Sequence, residues 1–328
     1  MGGKITKIGV FTSGGDSPGM NAAIRSVVRT CAYMKIDCMG IYRGYQGMIE
    51  GDFKPMDARS VNNIINKGGT ILKSARSMEF QTKEGRKKAY DQLQAAGIDG
   101  LVVIGGDGSF TGALIFHKEY NVPIIGIPGT IDNDIFGTTY TLGFDTALNT
   151  VVEVIDKIRD TASSHNRLFF VEVMGRDVGH IALNAGVGAG AEEILIPEEN
   201  LGLERLLESL KRSKASGKSS SIVVVAEGDK TGKNVFELKE YVETHLPIYD
   251  CRVSVLGHMQ RGGSPSCFDR VLASRMGVKA VEALMEGKTS LMVGIQDNKI
   301  TLTPISKAIK GHTKIDKELM RVSDIMTV

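Results

Sequence analysis

The most informative segment of the sequence is Gly100-Leu101-Val102-Val103-Ile104-Gly105-Gly106-Asp107-Gly108-Ser109. Its four consecutive apolar residues, 101–104, are typical of a strand of a parallel sheet, which is buried on both faces. The glycines and the aspartate that follow are typical of the turn that leads from such a strand into a helix. This stretch therefore predicts one strand–turn–helix unit of a parallel sheet.

Short apolar runs alternate with longer amphipathic runs along the rest of the chain, as expected for repeated units of this kind. The predicted strands are 7–12, 37–42, 100–104, 123–127, 168–173, 193–196, 221–226, 252–256 and 291–295. The predicted helices are 21–33, 83–96, 147–161, 203–215, 235–244 and 269–286. We therefore predict an α/β protein whose sheets are doubly wound, Rossmann-like and mostly parallel. At 328 residues the chain is long enough for about two such domains.

The composition argues against several classes of protein. The chain has 40 Lys and Arg against 38 Asp and Glu, and this near-neutral charge argues against binding to nucleic acid or to a membrane surface. No apolar run approaches the roughly 20 residues of a membrane-spanning helix, and the first residues do not have the pattern of a secretion signal. The four cysteines, at 31, 38, 251 and 267, show no CxxC spacing, so we expect a reducing, cytoplasmic location.

Two glycine-rich loops, 11–19 (FTSGGDSPG) and 104–112 (IGGDGSFTG), each follow a predicted strand and open a helix. Glycines let a ligand approach the backbone, and the first N–H groups of a helix attract an anion. Both loops are therefore candidate phosphate sites, and the alternative is an ordinary tight turn. Asp107 would repel phosphates unless a divalent cation lay between, which makes it a candidate Mg²⁺ ligand or else a helix N-cap. The second loop has the spacing GxGxxxG, which differs from the dinucleotide motif GxGxxG.

A third loop, Pro128-Gly129-Thr130-Ile131-Asp132-Asn133-Asp134, places two carboxylates at the end of a predicted parallel strand, where α/β sheets bind ligands. One carboxylate is able to accept a proton from a hydroxyl nucleophile while the other orients metal or water. The alternative is a structural turn stabilised by Asx hydrogen bonds.

Five arginines lie at strand ends or in glycine-rich turns, where a guanidinium matches phosphate oxygens. They are Arg76, Arg167, Arg176, Arg252 and Arg261. Any one of them alone is better explained as a surface ion pair, and His258 as a structural histidine. Together with the three loops, they favour phosphoryl transfer between two phosphate-bearing molecules. The chain has no GxSxG, HExxH or Walker GxxxxGK[ST] motif.

Six motifs resemble those of the bacterial ATP-dependent 6-phosphofructokinases, over nearly the whole chain. They are TSGGDSPGMNAAIR from residue 12, GGT-x-L from 68, VVIGGDGS from 102, GIPGTIDND from 126, VMGR from 173 and VLGHMQRGGSPSCFDRVLASRMG from 255. The resemblance implies transfer of the γ-phosphoryl group of ATP, with Mg²⁺, to the 1-hydroxyl of fructose 6-phosphate, the committing step of glycolysis. It also implies an active-site cleft between two domains, with 1–142 plus 259–305 binding ATP and 143–258 plus 306–328 binding fructose 6-phosphate.

The same resemblance implies a role for each site residue. Asp132 would be the catalytic base with Thr130 beside it, and Arg176 and Arg76 would stabilise charge on the transferred phosphoryl group. ATP would be bound by Gly15, Arg76, Ser77, Gly106, Asp107, Gly108 and Ser109, with Asp107 on the metal. The sugar phosphate would be bound by Thr130, Ile131, Asp132, Arg167, Met174, Gly175, Arg176, Glu227, Arg252, His258, Met259, Gln260 and Arg261, with Glu227 on a sugar hydroxyl.

Assembly and regulation are also implied by the family. Arg167 and Arg252 would reach into the site of a neighbouring subunit of a homotetramer. An effector site for ADP or phosphoenolpyruvate would use Arg25, Arg29, Arg159, Gly190, Glu192 and Lys218. The chain departs from the family pattern of charged effector-site residues at Ala58, Asn63, Ser216 and Ser219. We therefore expect a weakened or altered response to these effectors.

Glycine at two positions favours ATP as the phosphoryl donor. Relatives that use pyrophosphate carry Asp in place of Gly108 and Lys in place of Gly129, and an acid at the first position would collide with the α-phosphate of ATP. Lys73 replaces a glycine of the family motif and either contacts phosphate or points to solvent. Two rival hypotheses are a kinase for another substrate and a non-catalytic nucleotide sensor. The loop 128–134 argues against the first, and a retained base at Asp132 argues against the second.

Overall fold

The computed structural model describes residues 5–163, 167–199, 202–217, 221–311 and 313–326, which divide into two compact units. The first unit takes the described residues up to 131, then 135–146 and 261–313, and the second takes 132–134, 147–260 and those from 314 onward. The predicted domain boundaries after residues 142, 258 and 305 correspond to boundaries after residues 146, 260 and 313 in the structure. The ligand that each unit binds stays a prediction.

Helices and strands alternate along the chain. In order they are β1 (Lys7–Ser13), α1 (Met20–Tyr33), β2 (Asp37–Ile41), α2 (Gly44–Glu50), β3 (Phe53–Met56), α3 (Lys83–Ala95), β4 (Gly100–Gly105), α4 (Asp107–Tyr120), β5 (Ile124–Pro128), α5 (Phe144–Ser163), β6 (Arg167–Val173), α6 (His180–Gly188), β7 (Glu193–Leu195), α7 (Gly202–Ala215), β8 (Ser221–Ala226), α8 (Val235–His245), β9 (Asp250–Val255), α9 (Cys267–Met285), β10 (Leu291–Gln296), β11 (Lys299–Pro304), α10 (Ile305–Ala308) and α11 (Lys317–Met326). Short 3₁₀ helices cover Glu79–Gln81 and Gly257–Arg261.

The first unit is built on a seven-stranded sheet of order β11-β10-β5-β4-β1-β2-β3, in which only the two edge strands run antiparallel to their neighbours. Side chains of the decisive strand β4 alternate between the two faces. Val102 and Ile104 join the core that α1 and α9 cover, while Leu101 and Val103 join the core on the opposite face. The unbroken apolar run is explained by this burial on both faces.

The second unit holds a four-stranded, wholly parallel sheet of order β7-β8-β6-β9. Its core includes Leu168 and Phe170 of β6 and Val223 and Val225 of β8, all fully buried. The prediction of an α/β protein with doubly wound, mostly parallel sheets is confirmed.

Every predicted strand and helix is present, and the structure adds elements that the pattern did not reveal. Helix α6 has the sequence HIALNAGVG, which offers no polar face to mark a helical period. Strand β11 forms a hairpin with β10 through Asp297 and Asn298, whose φ angles are 48° and 58°. A two-residue turn with positive φ at both positions is a common hairpin connection, and Asp and Asn tolerate this conformation. The Asp297-Asn298 pair was therefore the feature of the sequence that indicated the hairpin.

Candidate active site

The two glycine-rich loops follow β1 and β4, which are adjacent central strands of the first sheet. The chain proceeds from β1 to β2 on one side and from β4 to β5 on the other, so the loops lie where the strand order reverses. Open α/β sheets bind ligands at this point. A Cβ built on Gly14, whose φ is +84°, would lie 3.4 Å from the Ser109 hydroxyl oxygen. The structure therefore brings the two loops together.

Asp107 is the first residue of α4, and the N-cap is Gly106, which makes no side-chain capping bond. The alternative of Asp107 as an N-cap is therefore wrong. Its exposed carboxylate suits Mg²⁺, which proteins commonly hold with one or two carboxylates together with phosphate oxygens and water. Among the described residues, no group of three or more His, Cys, Asp or Glu is arranged to hold a metal without such help.

Gly108 is exposed, and a Cβ built on it would meet nothing within 4 Å. Its φ also lies outside the left-handed region, so the fold does not require glycine at this position. Gly129 differs, because a Cβ there would lie 3.0 Å from Met20 Cε and 3.3 Å from Ile104 Cγ2. Packing therefore explains Gly129, whereas the space beside Gly108 is open to a ligand.

Arg261 lies against the first glycine loop. Its Nη1 donates to the Asp16 carbonyl at 3.3 Å and would lie 2.9 Å from a Cβ on Gly15. Ser77 donates to Gln46 Oε1 at 2.8 Å, while Arg76 is exposed.

Tyr45 was missed by the sequence analysis because α2 was not predicted. Its hydroxyl donates to the Ser109 carbonyl at 2.6 Å, so it fastens the second loop. Burial raises the pKa of Tyr45 above its ordinary value of 10.0, so the hydroxyl stays protonated well beyond neutral pH.

Asp132 is fully buried, and the Nε of Arg176 lies 3.3 Å from its Oδ2. The Arg176 side chain itself is 60% exposed. Thr130, just before Asp132, is buried, and its carbonyl accepts a 2.6 Å hydrogen bond from the Thr141 hydroxyl. A Cβ on Gly106 would lie 3.8 Å from Thr130 Cβ, so the loops after β4 and β5 adjoin. A desolvated carboxylate beside a specific cationic partner is typical of functional sites.

The predicted sugar-phosphate residues of the second unit follow the carboxyl ends of three adjacent strands. Met174, Gly175 and Arg176 follow β6, Glu227 follows β8, and His258, Met259 and Gln260 follow β9. Glu227, His258 and Met259 are exposed there. Gln260 is fully buried, and its amide bonds the Met174 N–H and the Gly257 carbonyl, so it joins two turns.

Arg167 and Arg252 lie elsewhere. Arg167 begins β6, Arg252 pairs with Phe169 near the start of β9, and both bind the Asp250 carboxylate. The seven residues of β6 span roughly 20 Å, so these arginines are far from the carboxyl ends of the strands. The structure does not bring them to Arg176 and Glu227 of the same chain.

The predicted effector residues lie in two groups, one in each unit. Arg25 and Arg29 line a pocket of about 330 Å³ on α1 and α9, together with Tyr33 and Glu282. Arg159 donates to the carbonyls of Ala189 and Gly190, and its Nη1 lies 3.7 Å from Glu192 Oε1. Lys218 lies outside the described residues, as does Ser219.

The family model of phosphofructokinase matches residues 7–284. The chain belongs to this family. It is 53% identical to "ATP-dependent 6-phosphofructokinase 2" of Bacteroides thetaiotaomicron, over 98% of each chain. It is 54% identical to "ATP-dependent 6-phosphofructokinase 1" of Thermus thermophilus, over 99% of this chain and 100% of the relative. The predicted resemblance is therefore confirmed over the full length of this phosphofructokinase-family chain.

Solved structures of the phosphofructokinase family share the fold. The phosphofructokinase of Saccharomyces cerevisiae superposes with a TM-score of 0.90 at 38% identity, and the match covers 98% of this chain but only 47% of the longer yeast chain. A pyrophosphate-dependent phosphofructokinase from Marinobacter aquaeolei superposes with a TM-score of 0.85 at 22% identity, which shows the fold alone. Among the described residues of this family member, no helix has the length and apolar content needed to cross a bilayer.

Two departures from the family motifs coincide with left-handed backbone. Lys73 has φ 59° and Asn63 has φ 56°, and both side chains are exposed. A glycine at position 73 of the motif is explained by this conformation, which glycine adopts without strain. Lys73 is exposed in the structure, which favours the interpretation that it points to solvent over a phosphate contact.

Proposed function

We propose that this chain transfers the γ-phosphoryl group of ATP to the 1-hydroxyl of fructose 6-phosphate, giving fructose 1,6-bisphosphate. The observation that carries the proposal is the fully buried Asp132 carboxylate with the Arg176 guanidinium at 3.3 Å, on a chain that shares more than half of its residues with ATP-dependent 6-phosphofructokinases.

Asp132 accepts the proton of the 1-hydroxyl as its oxygen attacks the γ-phosphorus, and the bond from that phosphorus to the β-γ bridging oxygen of ATP breaks. Arg176, together with Arg76, stabilises charge on the transferring group. Because the transition state of such a transfer is loose, positioning and charge neutralisation contribute more than the base. A mobile cation in water would be less effective than Arg176, whose backbone is held by neighbouring side chains.

The two loops after β1 and β4 bind ATP through Gly15, Gly106, Gly108 and Ser109, aided by Arg76 and Ser77. The first backbone N–H groups of α4 have no side-chain cap and would donate to the phosphates. Asp107 would hold Mg²⁺ together with phosphate oxygens. The cation supplies neutralisation of the phosphate charge when it is bound.

Fructose 6-phosphate binds at the carboxyl ends of β6, β8 and β9, through Met174, Gly175, Arg176, Glu227 and His258, with Met259, Gln260 and Arg261 near them in sequence. Thr130 and Ile131 precede the base. Arg167 and Arg252 bind the 6-phosphate of the sugar in the site of a neighbouring chain, in a cytoplasmic homotetramer. Their position near the starts of β6 and β9, away from the carboxyl ends that carry the other site residues, supports this assignment.

Arg25, Arg29, Arg159, Gly190, Glu192 and Lys218 form the effector site for ADP or phosphoenolpyruvate. We expect a weakened response, because Ala58, Asn63, Ser216 and Ser219 replace charged residues of the family pattern. Arg159 and Glu192 are partly committed to internal bonds, since Glu192 Oε2 also accepts from the Ile222 N–H at 2.5 Å.

Steady-state kinetics with fructose 6-phosphate test the proposal. We expect turnover with ATP and Mg²⁺, little with pyrophosphate, and a shallow response to added ADP or phosphoenolpyruvate. Asp132→Asn should lower kcat by about 10²-fold or more while ATP binding, measured by calorimetry, persists. No sugar phosphorylation by the wild-type chain, or full turnover by the variant, would contradict the proposal.

A further inference from the structure

Three consecutive backbone N–H groups after β6 donate to side-chain oxygens of the neighbouring segments. The Met174 N–H donates to Gln260 Oε1 at 3.2 Å. The N–H groups of Gly175 and Arg176 both donate to Glu227 Oε1, at 3.2 and 2.7 Å. Backbone amides outside a helix or sheet usually bond water or other backbone, so three successive side-chain acceptors specify the path of this turn.

The turn holds Arg176 in an uncommon conformation. Its φ is 52° and that of Gly175 is 146°, so the chain enters the left-handed region at a residue that bears a side chain. A side chain destabilises this region of the backbone, so a non-glycine residue adopts it only where the surroundings impose it.

Gly228 closes the turn from the side of β8. A Cβ built on Gly228 would lie 2.0 Å from the Arg176 carbonyl oxygen and 3.5 Å from Asp177 Cα. The first distance is far below any real contact, and the atom it involves is backbone. Any side chain at position 228 therefore displaces the backbone of Arg176. The φ of Gly228 is not left-handed, so this close approach is the reason for glycine.

The location of the Arg176 guanidinium depends on this turn. The side chain is 60% exposed, so packing does little to hold it, and its Nε lies 3.3 Å from Asp132 Oδ2. A flexible, exposed side chain reaches a fixed point only if its Cα is fixed. A misplacement of about 1 Å at a reacting group costs about 10²-fold in rate.

We propose that Glu227, Gly228 and Gln260 are positioning residues, which hold Arg176 left-handed so that its guanidinium meets Asp132 and the transferring phosphoryl group. The inference rests on the proposed function, since it gives Arg176 a task in phosphoryl transfer. It assigns Glu227 Oε1 to the turn, in addition to any sugar contact of that residue. It also gives Gln260 and Gly228 roles without a substrate contact.

The first test is the kinetics of Gly228→Ala. We expect kcat to fall by about 10²-fold, with the KM for ATP within a factor of two of wild type, because the ATP loops follow other strands. Gly188→Ala is the matched control, since a Cβ there would lie 3.6 Å from Val152 Cγ2, an ordinary contact in the same unit. Its kcat should equal that of wild type. Wild-type kcat in Gly228→Ala would overturn the proposal.

The second test is a double-mutant cycle with Arg176→Ala. If Gly228 acts only through Arg176, adding Gly228→Ala to Arg176→Ala should change kcat by less than a factor of three. If the loss of kcat in the double variant instead equals the product of the losses in the two single variants, Gly228→Ala has a general structural effect and the positioning role is refuted. Gln260→Leu, which removes the acceptor of the Met174 N–H without added bulk, enters the same cycle if Gly228→Ala does not fold. Absence of activity in the wild-type chain would instead overturn the proposed function.

Discussion

Among single residues, glycines that look alike in the sequence are required for different physical reasons. Gly228 is required by a backbone atom 2.0 Å from its absent Cβ, and Gly129 by two neighbouring side chains. Gly108 meets neither constraint. The sequence predicted the importance of Gly108 from its loop, but no local pattern reveals Gly228, because the atom that excludes a side chain belongs to a residue 52 positions earlier.

Substitution of Gly108 by aspartate should affect ATP binding without affecting the stability of the fold. The new side chain enters open space, so the thermal unfolding midpoint of Gly108→Asp should stay within about 2 °C of wild type. Its carboxylate would occupy and repel the position of the nucleotide phosphates, so turnover with ATP should fall by more than about 10²-fold. Ile115→Asp, two turns further along α4, exposed and outside the loop 104–112, adds the same charge as a control. Undiminished ATP kinetics in Gly108→Asp would refute the explanation.

At the scale of elements, one buried carboxylate fastens the starts of two helices. Asp269, in the first turn of α9, accepts hydrogen bonds from the backbone N–H groups of Gly143 and Thr146, both at 2.9 Å. The Thr146 hydroxyl donates to it at 2.5 Å, and Ser266 caps α9. Asp269 lies inside a motif that marked the family, yet it serves the junction of α5 and α9 and is fully buried.

This junction makes folding stability depend on pH in a specific direction. Burial raises the pKa of Asp269 from an ordinary 3.8 to about 6. The folded chain therefore binds the proton more tightly than the unfolded chain between these values, and the contribution of Asp269 falls as the pH rises through this window. Asp269→Asn removes the titration. The free energy of unfolding of wild type minus that of the variant should drop by about 2 kcal/mol between pH 4.5 and pH 7.

Chemical denaturation of both proteins at several pH values measures this difference. Comparison with Asp269→Asn cancels the opposite slope of exposed carboxylates whose pKa is lowered by hydrogen bonds or ion pairs, such as Glu119 beside Arg86. A difference that is constant with pH, or that rises, would show that Asp269 is ionised in the folded chain throughout the range.

The elements themselves were predictable where the sequence carried a clear period. Strands such as β4 and β8 are continuous apolar runs, and the helices with strong amphipathic patterns, such as α1 and α7, were found. Helix α2 contains two glycines in seven residues and was missed, and with it Tyr45. Hydrogen bonds between side chains and distant turns, such as Glu227 to Arg176, follow from strand order, which the pattern of one sequence does not specify.

Over the chain as a whole, the distribution of arginines supports the proposal that a second chain completes each sugar-phosphate site. Arg176 follows the carboxyl end of β6, whereas Arg167 begins the same strand. These two arginines of the predicted sugar-phosphate set therefore lie at opposite ends of one strand of the same chain.

Mixing two inactive variants tests this sharing. Asp132→Asn removes the proposed base, and Arg252→Ala removes the phosphate contact proposed for the neighbouring chain's site. If sites are shared, subunits exchanged at random should regain intact sites at about a quarter of positions, because each half of a site is intact half of the time. Activity of the mixture after denaturation and refolding together, compared with the same proteins refolded apart and then mixed on ice, measures the gain. If co-refolding produces no gain in activity, Arg252 and Asp132 of one chain act in the same site, and the sharing of sites is refuted.

Asp250 gives these arginines a second anion within their own chain. It accepts from Arg167 Nε at 2.9 Å and from Arg252 Nη2 at 3.0 Å, and hydrogen bonding by Arg167 lowers the pKa of Asp250. When a phosphate binds either guanidinium, that guanidinium exchanges the Asp250 carboxylate for the phosphate, because it is already paired with an anion. Added salt weakens the ion pairs with Asp250, which are partly exposed, as well as ion pairs with a bound phosphate. The apparent affinity for the sugar phosphate should accordingly be buffered against ionic strength.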